Sequence, residues 1–188
     1  MFLDASENME LYDIETGTEP YLEGVWIAWE VSENSTSEAM TEAVYQKTKE
    51  MLKNEGKLFT LFDGEHSVSI GSIRAVGEKY PDLTVLQFDA HTDLRPDFHG
   101  STSNHACAVF EASQKLNLVQ VGIRSCDLEE MQYVPKGQCF CAHEIATNPN
   151  WIDDVLAIVS GNVYITIDLD AFDPSFAPST GTPNGIQL

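Results

Sequence analysis

The stretch from Val85 to Asp93 constrains the fold more than any other part of this 188-residue chain. It begins with the β-branched and aromatic residues of a buried strand and ends in three potential metal ligands, Asp89, His91 and Asp93, at alternate positions. Side chains at alternate positions leave an extended chain on the same face. We therefore predict a strand that delivers these residues to one point beyond its carboxyl end, where open α/β sheets place their sites.

Two further segments repeat this arrangement. A run typical of a buried strand, Val163 to Ile167, is followed by Asp168, Asp170 and Asp173, and an apolar run at 58–62 is followed by His66. If all three runs are parallel strands of one sheet, the side chains that follow them emerge at the same edge. We expect them to form one site.

Strand patterns alternate with helical patterns along most of the chain. Further strands are predicted at 25–29 and 118–123, and Cys139 and Cys141 would share one face of a short strand. Four helices are predicted. The first runs from a capping box of Ser35 and Glu38 to Gly56, and the second passes through Ile70 and stops before Pro81. The third lies near 105–113, and the fourth runs from Pro149 to Gly161. This alternation predicts an α/β fold, a three-layer α/β/α sandwich with a mainly parallel sheet, in a single domain over residues 1–188.

The formal charge of the chain is −20. Nucleic acids and anionic membrane surfaces are bound through basic groups, so this charge argues against both and favours cationic ligands. No apolar run approaches the roughly 18 residues of a membrane span, and the first residues lack the pattern of a signal peptide, so we expect a cytoplasmic protein. The four cysteines match neither zinc knuckles nor a disulfide framework, and we interpret them as reduced and structural.

The candidate ligands are too many for one tetrahedral zinc ion, which needs four. They are His66, Asp89, His91, Asp93, Asp168 and Asp170. Two ions are therefore expected, and a carboxylate bridging them would let them share one activated water. A majority of oxygen ligands suits manganese better than zinc, although the affinity order of divalent metals leaves the metal open at this point. The alternative is that the aspartates only cap the helices that follow the strands.

At these residues the chain resembles the ureohydrolase family of arginases and agmatinases, and agmatinases most closely. Three segments are similar to family motifs: Asp63-Gly64-Glu65-His66-Ser67, Asp89-Ala90-His91-Thr92-Asp93, and the run from Thr166 to Pro174. Segments at 10–13, 122–125 and 181–183 are also similar to family sequences, so the likeness covers nearly the whole chain.

The resemblance implies two Mn²⁺ ions and a ligand set for each. His66 and Asp93 would bind the first ion, His91 and Asp170 the second, and Asp89 and Asp168 both. Asp93 would also hold a hydroxide between the ions and relay its proton.

The resemblance implies roles for three further residues. His105 would transfer protons near the mouth, Asp127 would lie near the end of the substrate, and Asp173 would orient the ligands through hydrogen bonds. For His105 the alternative is a histidine that is merely satisfied by its neighbours at a helix start. His99 and His143 match no motif and are interpreted as surface residues.

The activity implied is hydrolysis of the guanidinium group of agmatine to putrescine and urea. The substrate would be small and cationic, and the full-length protein a homo-oligomer. Arginase, guanidinobutyrase and formiminoglutamase activities stay open, as does a catalytically silent metal-binding fragment.

The sequence departs from the family pattern in two ways, and each leads to an expectation about the structure. Asp63 stands where the family has glycine, and a Cβ there would resist the turn and displace His66. The chain also begins and stops inside the family pattern, with Leu188 shortly after a Gly-Thr-Pro segment. We therefore expect a fold that is incomplete at the C-terminus, an exposed strand edge, and a marginally stable chain that hydrolyses agmatine poorly.

Overall fold

The computed structural model describes residue 7 and residues 9–24, 26–28, 30–54 and 56–182. The chain divides into two compact units, residues 1–30 and 31–188. The sequence predicted a single domain over residues 1–188, and this stays a prediction. In the first unit, Asp13 and Thr18 form an antiparallel bridge around a turn, and a 3₁₀ helix covers Pro20–Glu23.

A four-stranded parallel sheet forms the centre of the second unit. Its strands are β1 (Thr84–Phe88), β2 (Asn117–Ile123), β3 (Cys139–Cys141) and β4 (Val163–Ile167), in the order β3-β2-β1-β4. β1 pairs with both β2 and β4, so that Thr84 faces Asn117 on one side and Val163 on the other. The strands predicted around Val85, at 118–123, at 163–167 and at the two cysteines are confirmed.

Helices cover both faces of this sheet. They are α1 (Ser37–Met51), α2 (Val68–Lys79), α3 (Phe110–Lys115), α4 (Ala142–Ile145) and α5 (Trp151–Ile158). One buried cluster joins Ile73 of α2 to Val85 of β1, and a second joins Val155 of α5 to Leu86 of β1. Neighbouring residues of β1 belong to opposite clusters because side chains alternate across a strand. The predicted α/β/α sandwich is confirmed.

Two of the predicted strands are wrong where the structure describes them. Residues 58–62 pair with no described strand, and the side chains of Leu58 and Phe62 are 96% and 67% exposed. Residues 26–28 form no strand either, and Val25 and Trp29 lie outside the described residues. An apolar run predicts burial, but a strand forms only where a neighbouring strand satisfies its backbone hydrogen bonds.

The start of α1 differs from the predicted capping box by one residue. Thr36 is the cap, because its Oγ1 accepts a hydrogen bond from Ala39 N at 3.1 Å. Glu38 lies two residues after this cap, whereas a capping box needs a glutamate three residues after it. The Glu38 carboxylate instead accepts a hydrogen bond from Ser101 Oγ at 2.6 Å. The cap is therefore a single side chain.

Two other helix boundaries also differ. α1 ends at Met51, five residues before Gly56, which adopts a φ of +71° in the loop that follows. The helix predicted near 105–113 is divided into a 3₁₀ helix at His105–Cys107 and the separate α3. Asn104 starts the 3₁₀ helix by accepting a hydrogen bond from Ala106 N at 3.2 Å, so a local side-chain cap sets this boundary.

β4 is an edge strand of the sheet in the described part of the chain. It pairs only with β1, and its Val163, Ile165 and Ile167 side chains are 41%, 57% and 58% exposed. The exposed apolar edge expected from the sequence is thus present. None of the described helices has both the length and the apolar character to cross a membrane.

Gly71 lies where α2 packs against α1, and we predict that it tolerates no side chain. A Cβ at this position would lie 2.1 Å from the backbone oxygen of Thr41 and 2.9 Å from the backbone nitrogen of Tyr45. Because backbone atoms cannot rotate away, Gly71→Ala should lower the free energy of unfolding by about 2 kcal/mol, outweighing the gain in helix propensity. Urea denaturation measures this change.

Gly77→Ala in the same helix is the matched control. Its Cβ would meet only the side chain of Leu116, at 3.0 Å, which can adjust. Equal destabilisation by the two substitutions would contradict the packing described here.

Candidate metal centre

The predicted ligands converge at the carboxyl edge of the sheet. Backbone contacts join the ends of β1 and β4: Asp168 N donates to Phe88 O at 2.9 Å, and Ala90 N donates to a carboxylate oxygen of Asp170 at 3.1 Å. His66 precedes α2 and is buried beside them. All six residues predicted as ligands therefore lie in one cluster.

The cluster consists of two groups that share Asp89. In the first group, His66 Nδ1 lies 2.9 Å from Asp93 Oδ2 and 3.2 Å from Asp89 Oδ2. In the second group, His91 Nδ1 lies 3.0 Å from Asp170 Oδ2 and 3.6 Å from Asp89 Oδ1. The two oxygens of Asp89 thus face different histidines, as in a carboxylate shared by two cations.

Asp168 has two contacts of different kinds. One of its oxygens accepts a hydrogen bond from Asp170 N at 3.0 Å and caps a 3₁₀ helix at Leu169–Ala171. The other oxygen lies 3.6 Å from His66 Nδ1. The capping alternative therefore describes one oxygen of Asp168, while the other faces the cluster.

The surroundings of His66 fit a bound cation. Its Nε2 contacts Thr166 Oγ1 at 2.9 Å, which leaves Nδ1 to face the carboxylates. This Nδ1 atom is buried and makes no hydrogen bond of good geometry. A buried polar atom is normally paired, and a ring nitrogen among three carboxylates is a donor set for a divalent ion. The residues present therefore fit two cations, and the ligand set that the resemblance implies for each ion stays a prediction.

The electrostatics of the cluster reflect opposite charges in a buried place. Burial alone would lower the pKa of His66, but the carboxylates of Asp89 and Asp93 raise it well above its usual range. Hydrogen bonds to Asp170 and Asp89 raise the pKa of His91 to about 10. Burial raises the pKa of Asp93 to about 6. Without cations, protons on the histidines therefore balance part of the carboxylate charge.

Asp93 adopts a backbone conformation that side chains other than glycine rarely adopt. Its φ is +50°, in the left-handed region. The following backbone is fixed on both sides, because Val109 N donates to Asp93 O at 3.3 Å and Arg95 N donates to Ala106 O at 2.9 Å. This conformation turns the loop after β1 so that Asp93 reaches the same point as His66.

Glu130 supports this loop and was missed by the sequence reasoning. It is 5% exposed, and one of its oxygens accepts hydrogen bonds from Thr92 Oγ1 and Leu94 N, both at 2.8 Å. Its other oxygen accepts from Asp127 N at 3.0 Å. The contacts cross 36 to 38 positions of sequence. An acidic residue at a turn after a strand gave no local signal of this role.

Arg124 is a second supporting residue that the sequence reasoning did not identify. Its guanidinium donates to the backbone oxygens of Asp170 at 2.5 Å, Ala171 at 3.3 Å and Phe172 at 3.2 Å. Its own backbone N donates to Ala90 O at 2.8 Å. Arg124 therefore ties the turn that carries Asp170 to the loop that carries Asp89.

His105 lies at the exposed rim, and its predicted role in proton transfer stays a prediction. Its ring is about half exposed, and Nδ1 lies 3.3 Å from Glu65 Oε1. The other oxygen of Glu65 accepts hydrogen bonds from the backbone and hydroxyl of Ser67. The segment that carries His66 thus also carries the acid that contacts His105.

Asp127 is exposed at the same end of the sheet, and its carboxylate forms an ion pair with Arg95 Nη2. The guanidinium of Arg95 also lies 4.8 Å above the ring of Phe98. A substrate ammonium would therefore meet an aspartate that already has a cationic partner. The predicted contact of Asp127 with substrate stays a prediction.

The remaining predicted residues are placed as follows. Asp63 does not adopt a positive φ, so its Cβ causes no strain and His66 reaches the cluster; the expected displacement is wrong. Asp173 is half-buried and accepts a hydrogen bond from Ser175 N at 2.8 Å. Its predicted role in orienting the ligands stays a prediction. The four cysteines form no disulfide.

Comparison with known proteins gives the same picture as the geometry. The sequence profile described as "Arginase family" matches residues 2–186 of the chain. The chain belongs to the arginase family. It is 35% identical over 193 residues to the N(1)-aminopropylagmatine ureohydrolase of Synechocystis sp., covering 96% of this chain and 62% of that protein. It is 38% identical over 132 residues to the agmatinase of Bacillus subtilis, covering 68% of this chain and 45% of that protein.

A solved structure of the family has the same fold. The agmatine ureohydrolase of Thermoplasma volcanium superposes with a TM-score of 0.86 at 27% identity, covering 98% of this chain and 64% of that one. The arginase-like fold predicted from the sequence is confirmed. The chain spans about 62% of the length of the Synechocystis protein.

We predict that the affinity for Mn²⁺ rises with pH. A ligating histidine must be neutral, so each ion has to displace a proton from a histidine whose pKa is raised, in the case of His91 to about 10. Below that pKa, affinity should increase about tenfold per pH unit for each proton released. Calorimetry between pH 6 and 8, in buffers of different ionisation enthalpy, measures both affinity and proton release. Binding that is independent of pH and releases no proton would contradict this arrangement.

We also predict that Glu130→Gln lowers the free energy of unfolding by about 2–3 kcal/mol. The amide has one acceptor oxygen in place of two, and its N–H groups would face donors, so buried hydrogen bonds to a charged group are lost. Thermal and urea denaturation measure the loss. Glu129→Gln is the matched control, because the neighbouring Glu129 is exposed. A loss that is no larger for Glu130 than for Glu129 would refute the supporting role.

Proposed function

We propose that this chain is the metal-binding part of a Mn²⁺-dependent ureohydrolase that converts agmatine and water to putrescine and urea. The observation that carries the proposal is the sharing of Asp89 between two groups of buried ligands. A divalent cation in each group would be bound by His66, Asp93 and Asp89 on one side and by His91, Asp170 and Asp89 on the other. Asp168 would contribute its free oxygen. Bound there, two divalent cations supply Lewis acidity and lower the pKa of water to near neutrality.

The residues of the chain have separate tasks in the proposed reaction. Addition of water forms a C–O bond at the guanidinium carbon, and the C–N bond to the diamine breaks. Asp93, whose Oδ2 faces His66, would accept the proton that the water loses. The departing amine needs a proton, and His105 at the half-exposed rim would deliver it from solvent.

The charge of the chain supports a cationic substrate. With a formal charge of −20, the protein attracts guanidinium and ammonium groups over a distance. The half-exposed carboxylate of Glu65 lies at the rim, beside His105. Agmatine carries a guanidinium and a flexible ammonium, which need only acidic or water-mediated contacts.

A second candidate substrate is N(1)-aminopropylagmatine. It is supported by the similarity to the Synechocystis protein of that name, which extends over 96% of this chain. The longer polyamine tail adds a further cationic group, which the same acidic rim would accept. Arginine, guanidinobutyrate and a formimino substrate carry a carboxylate, which this net charge disfavours.

Release of urea from the four guanidino substrates, and of formamide from the formimino substrate, with and without Mn²⁺, tests the proposal. We expect turnover of agmatine or N(1)-aminopropylagmatine that needs Mn²⁺, and much slower turnover of arginine. Faster turnover of arginine than of agmatine and N(1)-aminopropylagmatine would overturn the proposed substrate assignment. Two bound Mn²⁺ ions with no hydrolysis of any of the five substrates would support the silent metal-binding fragment.

Variants separate the proposed roles. His91→Ala and Asp170→Asn should each lower turnover by more than about 100-fold, because each removes a metal ligand. Losing a ligand should lower activity more than losing a residue that only hydrogen-bonds to a ligand. His105→Ala should lower turnover less, because solvent partly replaces a proton donor at an exposed rim. His143→Ala is the control, since that histidine is exposed and matches no motif. Equal losses for His91→Ala and His105→Ala would contradict these assignments.

A further inference from the structure

A row of polar side chains crosses the sheet beneath the candidate metal centre. The strand register pairs Cys139 with Gln120, Gln120 with Gln87, and Gln87 with Thr166. Paired residues of neighbouring strands point to the same face, so the four side chains are neighbours in a line. The two glutamines in the middle are both 0% exposed. Fully buried amides are costly unless they are hydrogen-bonded, so their partners are informative.

The hydrogen bonds of the two glutamines run in one direction, toward the loop after β1. Gln120 Nε2 donates to Gln87 Oε1 at 2.7 Å and to the backbone oxygen of Thr92 at 2.9 Å. Gln87 Nε2 donates to Asp89 Oδ2 at 2.8 Å and to the backbone oxygen of His91 at 3.4 Å. Carboxylate and carbonyl oxygens can only accept, so they fix the orientation of both amides.

These contacts hold the carboxylate that the two ligand groups share. Oδ2 of Asp89 accepts from Gln87, and Oδ1 accepts from the backbone N of His91 at 2.7 Å. Each oxygen therefore has one fixed donor from the protein, and each also faces one histidine ring, that of His66 or His91. A rotation of the Asp89 carboxylate would break both hydrogen bonds at once.

We propose that Gln87 is a positioning residue that orients Asp89 for cation binding, and that Gln120 holds the Gln87 amide in its donating orientation. The inference rests on the two-cation site of the proposed function. The alternative is that the two amides only fill space in the sheet. It does not explain which residues accept their hydrogen bonds. All three acceptors beyond the pair belong to the loop that carries the ligands, namely Asp89, His91 and Thr92. Apolar side chains of similar size would fill the same space without needing partners.

The test measures Mn²⁺ binding directly, by calorimetry and by the electron paramagnetic resonance signal of free Mn²⁺. Gln87→Met keeps the length of the side chain and removes the donor, so affinity should fall by about 10- to 100-fold. Gln120→Met leaves Gln87 in place but free to turn, so we expect a smaller loss in the same direction.

Two variants control for general destabilisation. Leu86→Ala removes a buried side chain on the opposite face of the same strand. Gln138→Met removes an amide that donates to Asn117 Oδ1. Asn117 is the first residue of β2, so this contact lies at the end of β2 that is far from the metal centre. The Mn²⁺ affinity of both variants should stay within a factor of about three of that of the unsubstituted chain. This change is smaller than the loss of affinity expected when a residue that orients a metal ligand is replaced.

The outcomes separate this inference from the proposed function. Affinity of Gln87→Met within that factor of three, in a chain whose circular dichroism shows it folded, would overturn the inference. If Gln87→Met does not fold, Gln120→Met decides by the same measurement. An unsubstituted chain that binds two Mn²⁺ ions but releases no urea would overturn the proposed activity alone. An unsubstituted chain that binds no Mn²⁺ would overturn the metal site and the positioning role together.

Discussion

The contact on which the rest of the site depends is that of one buried carboxylate with two imidazoles. Asp89 is 1% exposed, and its oxygens face His66 and His91. Burial alone would raise the pKa of Asp89, but its contacts with the two histidines hold it below the usual range. A buried charge persists only when it is paired and hydrogen-bonded. Cations, or protons on the histidines, are therefore a structural requirement here as well as a chemical one.

The parallel register is what brings these groups together. β1 and β4 lie side by side without a shift, so that Phe88 faces Ile167 and the residues after each strand, Asp89 and Asp168, start at the same height. A slip of one residue would send every side chain of β4 to the other face of the sheet. The register of the two strands thus fixes the position of the ligands.

The sequence predicted what depends on local pattern and failed where distant partners decide. Alternation predicted that Asp89, His91 and Asp93 lie together, and they do, although β1 ends at Phe88 and Asp93 reaches the cluster through a left-handed turn. The segment at 58–62 was assigned a strand from its composition, but strand formation depends on a neighbour that no local pattern reveals. Glu130 was missed for a related reason, since its partners lie 36 to 38 positions earlier in the chain. A glutamine inside an apolar strand, such as Gln87, was the one visible signal of the network behind Asp89.

The candidate site divides into a buried base and an exposed rim. Asp89 is held from behind by fully buried amides, and Asp93 by a loop fixed through Glu130, so the candidate metal ligands have a rigid base. His105, Glu65 and Asp127 are about half exposed, and their contacts are ion pairs at the surface. Surface ion pairs contribute little stability. Under the proposed function, substitutions at the rim would therefore change which guanidino compound is accepted without disturbing the ligands, and proteins similar to this chain bear the names of different substrates.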